Sequence, residues 1–454
     1  MAGQRFWELT FDADGDTDAG ARDRFRTEVR DAGLTDLVVF SHGWNNDHRI
    51  ATALYERFFE LLAGQLPAGR RAGVGLVGVF WPSQRWSDEP IPDFAAAPGA
   101  GGAAAGGAAG GGGAAAAVPR ETAVAGEPAL DKETLAQLQE LFPAAADQLA
   151  EMAGLLGSPP TDAALTRFRD LLAEFSTRAG AGGDDGEGTG PVLPPMLTDD
   201  ARTLFERYRD TLSSVGVTFQ DGGADSAGGA AGLGDALHGI WQGAKEALRQ
   251  ATYWQMKSRA GVVGKAGLGP VLGRLPVRVH LVGHSFGARL VSYALAGLPD
   301  GPSPVKSVTL LQGAFSHFAF ARPLPFDAGR SGALAGMLAR IDGPLTVCFS
   351  SHDLAVGRIY PLASLAARDD SAGAQDALFR WGGMGADGAQ GVQAALDPIR
   401  PAAPGTTYRF AAGKALNVDA SEVVRAGGPP SGAHSDIVHP ELTWLVLLAA
   451  GLTT

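Results

Sequence analysis

The stretch Val277-Arg278-Val279-His280-Leu281-Val282-Gly283-His284-Ser285-Phe286-Gly287-Ala288-Arg289-Leu290-Val291-Ser292-Tyr293-Ala294-Leu295 changes its periodicity in mid-course. Val277, Val279 and Val282 make an extended, β-branched run, whereas Leu290, Val291, Ala294, Leu295 and Leu298 recur at helical spacing. Strand, tight turn and helix are therefore expected in that order. Glycines at 283 and 287 leave room where a side chain would collide with the neighbouring strand and helix, so Ser285 can occupy a strained turn with its hydroxyl exposed.

Gly283-His284-Ser285-Phe286-Gly287 fits the pattern G-x-S-x-G, the nucleophile elbow. In a chain with 64 glycines the bare pattern says little; its position between a strand and a helix carries the argument. At this point the chain resembles the α/β-hydrolase superfamily, whose members use such a serine for acyl transfer. The resemblance covers roughly 1–90 and 255–454. It implies an α/β fold with a mostly parallel central sheet flanked by helices. Ser41-His42-Gly43-Trp44-Asn45-Asn46 together with Phe80-Trp81-Pro82-Ser83 looks like microbial serine-hydrolase-like proteins, which implies a fold but no substrate.

The 454 residues are 45% hydrophobic and 19% charged, which suits a globular chain with a large core. A formal charge of −12 argues against a nucleic-acid partner, which would need a concentrated basic surface. The one cysteine, Cys348, excludes an internal disulfide and fits a reducing compartment; its apolar neighbours, Leu345 to Phe349, make it core packing. The N-terminus reads as a first strand and lacks the apolar segment of a signal peptide. The apolar run Leu442 to Leu452 is too short to cross a membrane. A cytoplasmic protein with no transmembrane segment is expected.

Before the elbow, Leu37 to Phe40 and Val74 to Trp81 read as buried strands, with a helix from Asp47 to Leu62 between them. Ala95 to Val118 is almost pure Ala and Gly, with too little side-chain volume to bury, so 91–126 is expected to be a flexible linker. Leu135, Leu138, Leu141 and Phe142, then Leu165, Phe168, Leu171, Leu172 and Phe175, then Leu204, Phe205, Tyr208 and Leu212, then Ala236 to Met256 carry helical patterns. The segment 127–254 is thus a largely helical insertion, broken by Gly-rich segments, between two parts of an α/β core, 1–90 and 255–454. In the family it resembles, such insertions often cap the serine. After the elbow, Val305 to Gly313, Leu345 to Ser350 and Tyr408 to Asn417 read as strands, and a helix starts at Glu441. Gly267 to Gly273 is glycine-rich but lacks dinucleotide spacing.

A serine hydroxyl needs a base to take its proton and a carboxylate to orient that base. The resemblance implies the order Ser, acid, His. Asp353 follows a buried strand at its C-terminal end, where ligands bind in a parallel sheet; Asp342 precedes that strand and Asp327 lies in a long loop. His434 sits among small residues in the last loop and is preferred as base over His439, which adjoins Pro440 at a helix start. His284 is expected to point elsewhere and His352, which neighbours the acid, to lie at the surface or just behind the site. The oxyanion donors implied by the resemblance are the N–H of Trp44, or of Asn45 if the turn is one residue longer, and the N–H of Phe286. None of the nine histidines has metal-ligand spacing with carboxylates on a helix, so no metal or cofactor is expected. The resulting expectation is a serine hydrolase cleaving a small-molecule carboxylic ester through an acyl-enzyme on Ser285, Asp353 and His434. An acyltransferase or amidase would use the same residues, and a non-catalytic binding scaffold is the alternative from another class.

Overall fold

A computed structural model describes residues 1–83, 86, 123–125, 128–178, 199–214, 217–219, 231–359, 379, 382–392, 399–428 and 431–453. The Ala/Gly stretch 95–118 lies outside these described residues.

In chain order the described strands are β1 (Phe6–Thr10), β2 (Asp36–Ser41), β3 (Val74–Phe80), β4 (Ala123–Ala125), β5 (Val217–Phe219), β6 (Arg278–His284), β7 (Val305–Leu311), β8 (Leu345–Phe349) and β9 (Ala415–Asp419). All but β4 and β5 form one parallel sheet with the order β1-β3-β2-β6-β7-β8-β9. Among the described residues the short strands β4 and β5 pair with each other. Every residue of β2 and β3 is buried, as expected for parallel strands covered on both faces, and the two-residue repeat sorts their side chains. Leu37 and Val39 join one core, and Val38 and Phe40 the other.

The Val38 and Phe40 face is covered by the helix His48–Gln65, with Leu54, Tyr55, Phe58 and Phe59 inward, and by the closing helix Pro440–Ala449, with Leu442, Leu445 and Val446 inward. Asp47 caps the first of these by accepting from the Ile50 N–H at 2.7 Å, which starts the helix at the residue after the β2 loop. The opposite face is covered by the helix Ala19–Asp31, through Phe25 and Val29, and by the helix Phe286–Ala294 that follows the elbow. Helices Lys132–Leu141, Ala146–Leu156, Asp162–Arg178, Ala201–Ser214 and Ala231–Val262 lie in the chain between β3 and β6. Their apolar residues, among them Leu138, Phe168, Phe205 and Trp241, belong to the same buried cluster as Val39, Val79 and Leu281.

Several expected boundaries shift for local reasons. The last strand begins at Ala415 instead of Tyr408, because Gly413 turns the chain through φ +69° just before it. The strand Val305–Leu311 ends before Gln312, which has φ +48°. The long helix starts at Ala231 and continues to Val262, then runs through a wider turn, Val263–Leu268, packed on the elbow helix; a β-carbon at Gly264 would collide with the Leu290 carbonyl. The glycine-rich run 267–273 is accounted for in the same way, since Gly269 abuts the Ala294 carbonyl and Gly273 the ring of Pro299. Cys348 is fully buried, and burial pushes its thiol up to about 12. Among the described residues no helix is long and apolar enough to cross a membrane.

At the N-terminal edge of the sheet Asp36 is buried and accepts hydrogen bonds from His280 Nε2 (3.0 Å), Arg278 Nη2 (2.7 Å) and Thr35 Oγ1 (2.7 Å). Burial alone would raise this carboxyl, but the three donors outweigh it and hold the group well below the usual carboxylate range. His280 is kept neutral by burial, and its Nδ1 meets Ser307 Oγ at 2.9 Å.

Candidate active site

Strand β6 ends at His284, and Ser285 takes φ +57° and ψ −122°, a conformation rare for a residue with a side chain. The flanking glycines are required sterically: a β-carbon at Gly283 would run into the Gly287 carbonyl, and one at Gly287 into the Ser41 and His42 carbonyls. The turn is tied to the next strand by Ser285 N–H donating to Leu311 O (3.1 Å) and by Ala314 N–H donating to Ser285 O (3.2 Å). Ser285 is thereby held at the C-terminal edge of the sheet, 5% exposed.

Strand β8 leads through Ser350, whose Oγ donates to Val424 O at 2.7 Å, to Asp353, which is 2% exposed. Its two carboxylate oxygens have separate partners. Oδ1 accepts from the Val356 N–H at 3.0 Å, which anchors the following turn, and Oδ2 accepts from His434 Nδ1 at 2.8 Å. His434 Nε2 lies 2.8 Å from Ser285 Oγ. With Nδ1 donating to a carboxylate, Nε2 is the bare nitrogen and accepts the serine proton. The structure thus brings Ser285, His434 and Asp353 into one hydrogen-bonded chain. His439 is elsewhere: its Nε2 meets Asp436 Oδ1 at 2.8 Å, and it makes no side-chain cap to the helix it precedes. Asp342 pairs with Lys306 at 2.6 Å on the surface, and Asp327 is bound within its own loop. His352 is exposed, as expected. His284 corrects the expectation, because its Nε2 faces the His434 carbonyl oxygen at 2.8 Å.

The loop after β2 lies directly on the elbow. A β-carbon at Gly43 would fall 2.5 Å from the Ser285 β-carbon and 3.1 Å from its Oγ, so only glycine fits there. The Gly43 carbonyl accepts from three side chains, His42 Nδ1 (2.9 Å), Asn46 Nδ2 (3.1 Å) and Ser83 Oγ (3.2 Å). The Gly43–Trp44 bond is trans, so anchoring that carbonyl turns the Trp44 N–H to the opposite side of the peptide plane. Asn46 Nδ2 also holds the Trp44 carbonyl at 2.7 Å, and Asn45 turns with φ +63°. Among the described residues neither the Trp44 N–H nor the Phe286 N–H has an acceptor. Sequence reasoning does not single out Asn46 or Ser83. Their nearness to His42-Gly43 and Trp81 is the one signal that points to them.

Aromatic groups back this loop. His42 stacks on Trp81 (5.6 Å between centroids, 13°), whose Nε1 donates to His42 O at 3.1 Å, and the Tyr55 hydroxyl accepts from the His42 N–H at 3.0 Å. Burial lowers His42 to about 4, so it is a neutral structural group. Tyr253 of the helix Ala231–Val262 packs against both this loop and the elbow helix, its ring centroid 5.3 Å from that of Trp44 and 4.7 Å from that of Phe286. Arg259 of the same helix donates to Pro82 O at 3.3 Å and Leu141 O at 3.0 Å, joining the helices that follow β3 to the same sheet edge. Among the described residues no cluster of histidine, cysteine and carboxylate side chains could hold a metal ion.

No family model, curated protein or solved structure matches the chain.

Proposed function

We propose that the protein is a serine hydrolase of the α/β-hydrolase type that cleaves a small-molecule carboxylic ester through an acyl-enzyme. The observation that carries this reading is the chain of two 2.8 Å hydrogen bonds from Ser285 Oγ through His434 to Asp353, built on a serine with φ +57°. A strained serine at the C-terminal edge of a parallel sheet, next to a base and a buried acid, is the arrangement that activates a hydroxyl. The strand order and the position of the helices between β3 and β6 support the α/β-hydrolase assignment, with those helices as an insertion whose Tyr253 walls the site. The single buried cysteine supports a cytoplasmic setting.

In this mechanism Ser285 Oγ attacks the ester carbonyl carbon while its proton moves to His434 Nε2. Asp353 stabilises the resulting imidazolium, and the Trp44 and Phe286 amides receive the oxyanion. The proton passes from Nε2 to the departing alkoxide, and the alcohol leaves. Water then repeats the attack on the acyl-enzyme, with His434 again as base, releasing the carboxylic acid and Ser285. The net negative charge of the chain favours a small neutral ester over nucleic acid. Hydrolysis of p-nitrophenyl acetate by the purified protein and by Ser285→Ala tests the reading. The variant should lose activity on the order of 10³-fold or more, while its thermal unfolding stays at the wild-type temperature. A variant that retains most of the activity would remove Ser285 from the chemistry.

A further inference from the structure

One titratable group beside the site takes no part in the proton transfers. His284 ends β6 immediately before Ser285, is 3% exposed, and places Nε2 2.8 Å from the backbone carbonyl oxygen of His434. A carbonyl only accepts, so Nε2 carries the hydrogen and Nδ1 is bare. That Nδ1 is buried with no hydrogen-bond partner among the described residues. An orphaned buried nitrogen is unfavourable, and an apolar side chain of similar size would avoid it. The hydrogen bond to His434 is what an imidazole adds at this position.

The connection closes a ring. Ser285 and His284 are consecutive, His284 holds the His434 main chain, and the His434 side chain returns to Ser285 Oγ at 2.8 Å. The His284 and His434 rings lie 5.1 Å apart between centroids. Burial, aided by the neighbouring His434, lowers His284 to about 3, so it remains neutral and does not set a second positive charge against the imidazolium that forms on His434. Other ties hold this loop on both sides of His434: the Ala433 N–H donates to His352 O at 2.9 Å and Gly432 bridges Asp353, while Asp436 Oδ2 accepts from the Arg425 and Ala426 N–H groups at 2.9 and 2.8 Å. The first two fix the base relative to the acid. Among the described residues, the His284 contact is the hydrogen bond that joins the His434 main chain to the elbow.

We propose that His284 is a positioning residue that clamps the main chain of His434 to the elbow and so keeps Nε2 within reach of Ser285 Oγ, an inference that rests on the hydrolase reading above.

Two variants test this with the full-length chain. His284→Phe keeps a planar ring but has no donor, and His284→Gln restores a side-chain N–H. Turnover of p-nitrophenyl acetate and the rate of Ser285 labelling by a fluorophosphonate are measured beside thermal unfolding. Displacement of a catalytic group by about 1 Å costs up to about 100-fold, so the Phe variant should lose roughly 10- to 100-fold in kcat and labelling rate with KM unchanged. The Gln variant should stay within about threefold of wild type on the same reasoning. A folded Phe variant with wild-type kcat and labelling rate would overturn the clamp. So would equal losses in both variants. Should the Phe variant fail to fold, a loss beyond about tenfold in folded His284→Gln overturns it alone. Wild-type protein that the probe does not label would instead refute the hydrolase reading itself, and the clamp with it.

Discussion

Asp353 and Gly432 pair across an isolated antiparallel bridge, which draws the loop after β8 against the last loop and leaves His434 two residues beyond the contact. Gly432 makes the bridge with φ +61°, and any β-carbon there would meet the His352 carbonyl. The acid and the base are thus brought together by backbone geometry before their side chains bond. His439 gains nothing from this bridge, and its half-buried pair with Asp436 is of a kind worth about 1 kcal/mol or less. His434→Ala should therefore lower kcat on a short ester on the order of 10³-fold, while His439→Ala should leave it within about threefold. Steady-state rates of the two variants decide between the histidines, and the reverse ranking would make His439 the base.

The Gly43 carbonyl fixes the direction of the Trp44 N–H, and Asn46 supplies a donor to both the Gly43 and Trp44 carbonyls. Asn46→Ala should free that peptide to rotate and lower kcat roughly 10- to 100-fold with little change in KM, since loss of a whole oxyanion donor costs about 10²- to 10³-fold. Ser83→Ala removes one donor of three and should cost less. Unaltered kcat in folded Asn46→Ala would show that the Trp44 amide does not bear the developing charge.

How much of this is legible in the chain follows from how local each feature is. The elbow is legible because its strand, glycines and helix are consecutive residues, and the buried strands because parallel pairing makes them continuously apolar. The order of Ser285, Asp353 and His434 names a candidate set. The contacts that select His434 join residues 81, 149 and 150 positions apart, and no periodicity encodes them. Sequence reasoning misplaces His284 for that reason: its partner is a backbone carbonyl of a distant loop, to which residue type gives no pointer. Tyr408 and Phe410 alternate like a strand, yet the turn at Gly413 puts them outside it. The pattern starts the long helix too late because Gly232 and Gly234 disfavour a helix locally, a preference overridden by the continuous helix that follows.

At the far edge of the sheet, Asp36 yields a pH dependence. Its folded carboxyl titrates below the unfolded one, so its contribution is present above the unfolded pKa of about 3.9 and is lost as pH falls through the lower folded value. Asp36→Asn should destabilise the protein by about 1–3 kcal/mol near neutral pH, the scale for leaving buried hydrogen-bond donors without their charged acceptor. The gap to wild type should narrow as pH is lowered below about 4. Urea unfolding of both proteins from about pH 3 to about pH 7, a span that includes the ordinary carboxylate titration, tests this, and a gap independent of pH would contradict it.

The most direct test of the central claim is intact-mass and peptide mapping after exposure of the folded protein to a fluorophosphonate at neutral pH. The account requires one adduct per chain, on Ser285, absent in Ser285→Ala and strongly slowed in His434→Ala. Folded wild-type protein that takes up no probe, or takes it up on another residue, would contradict it.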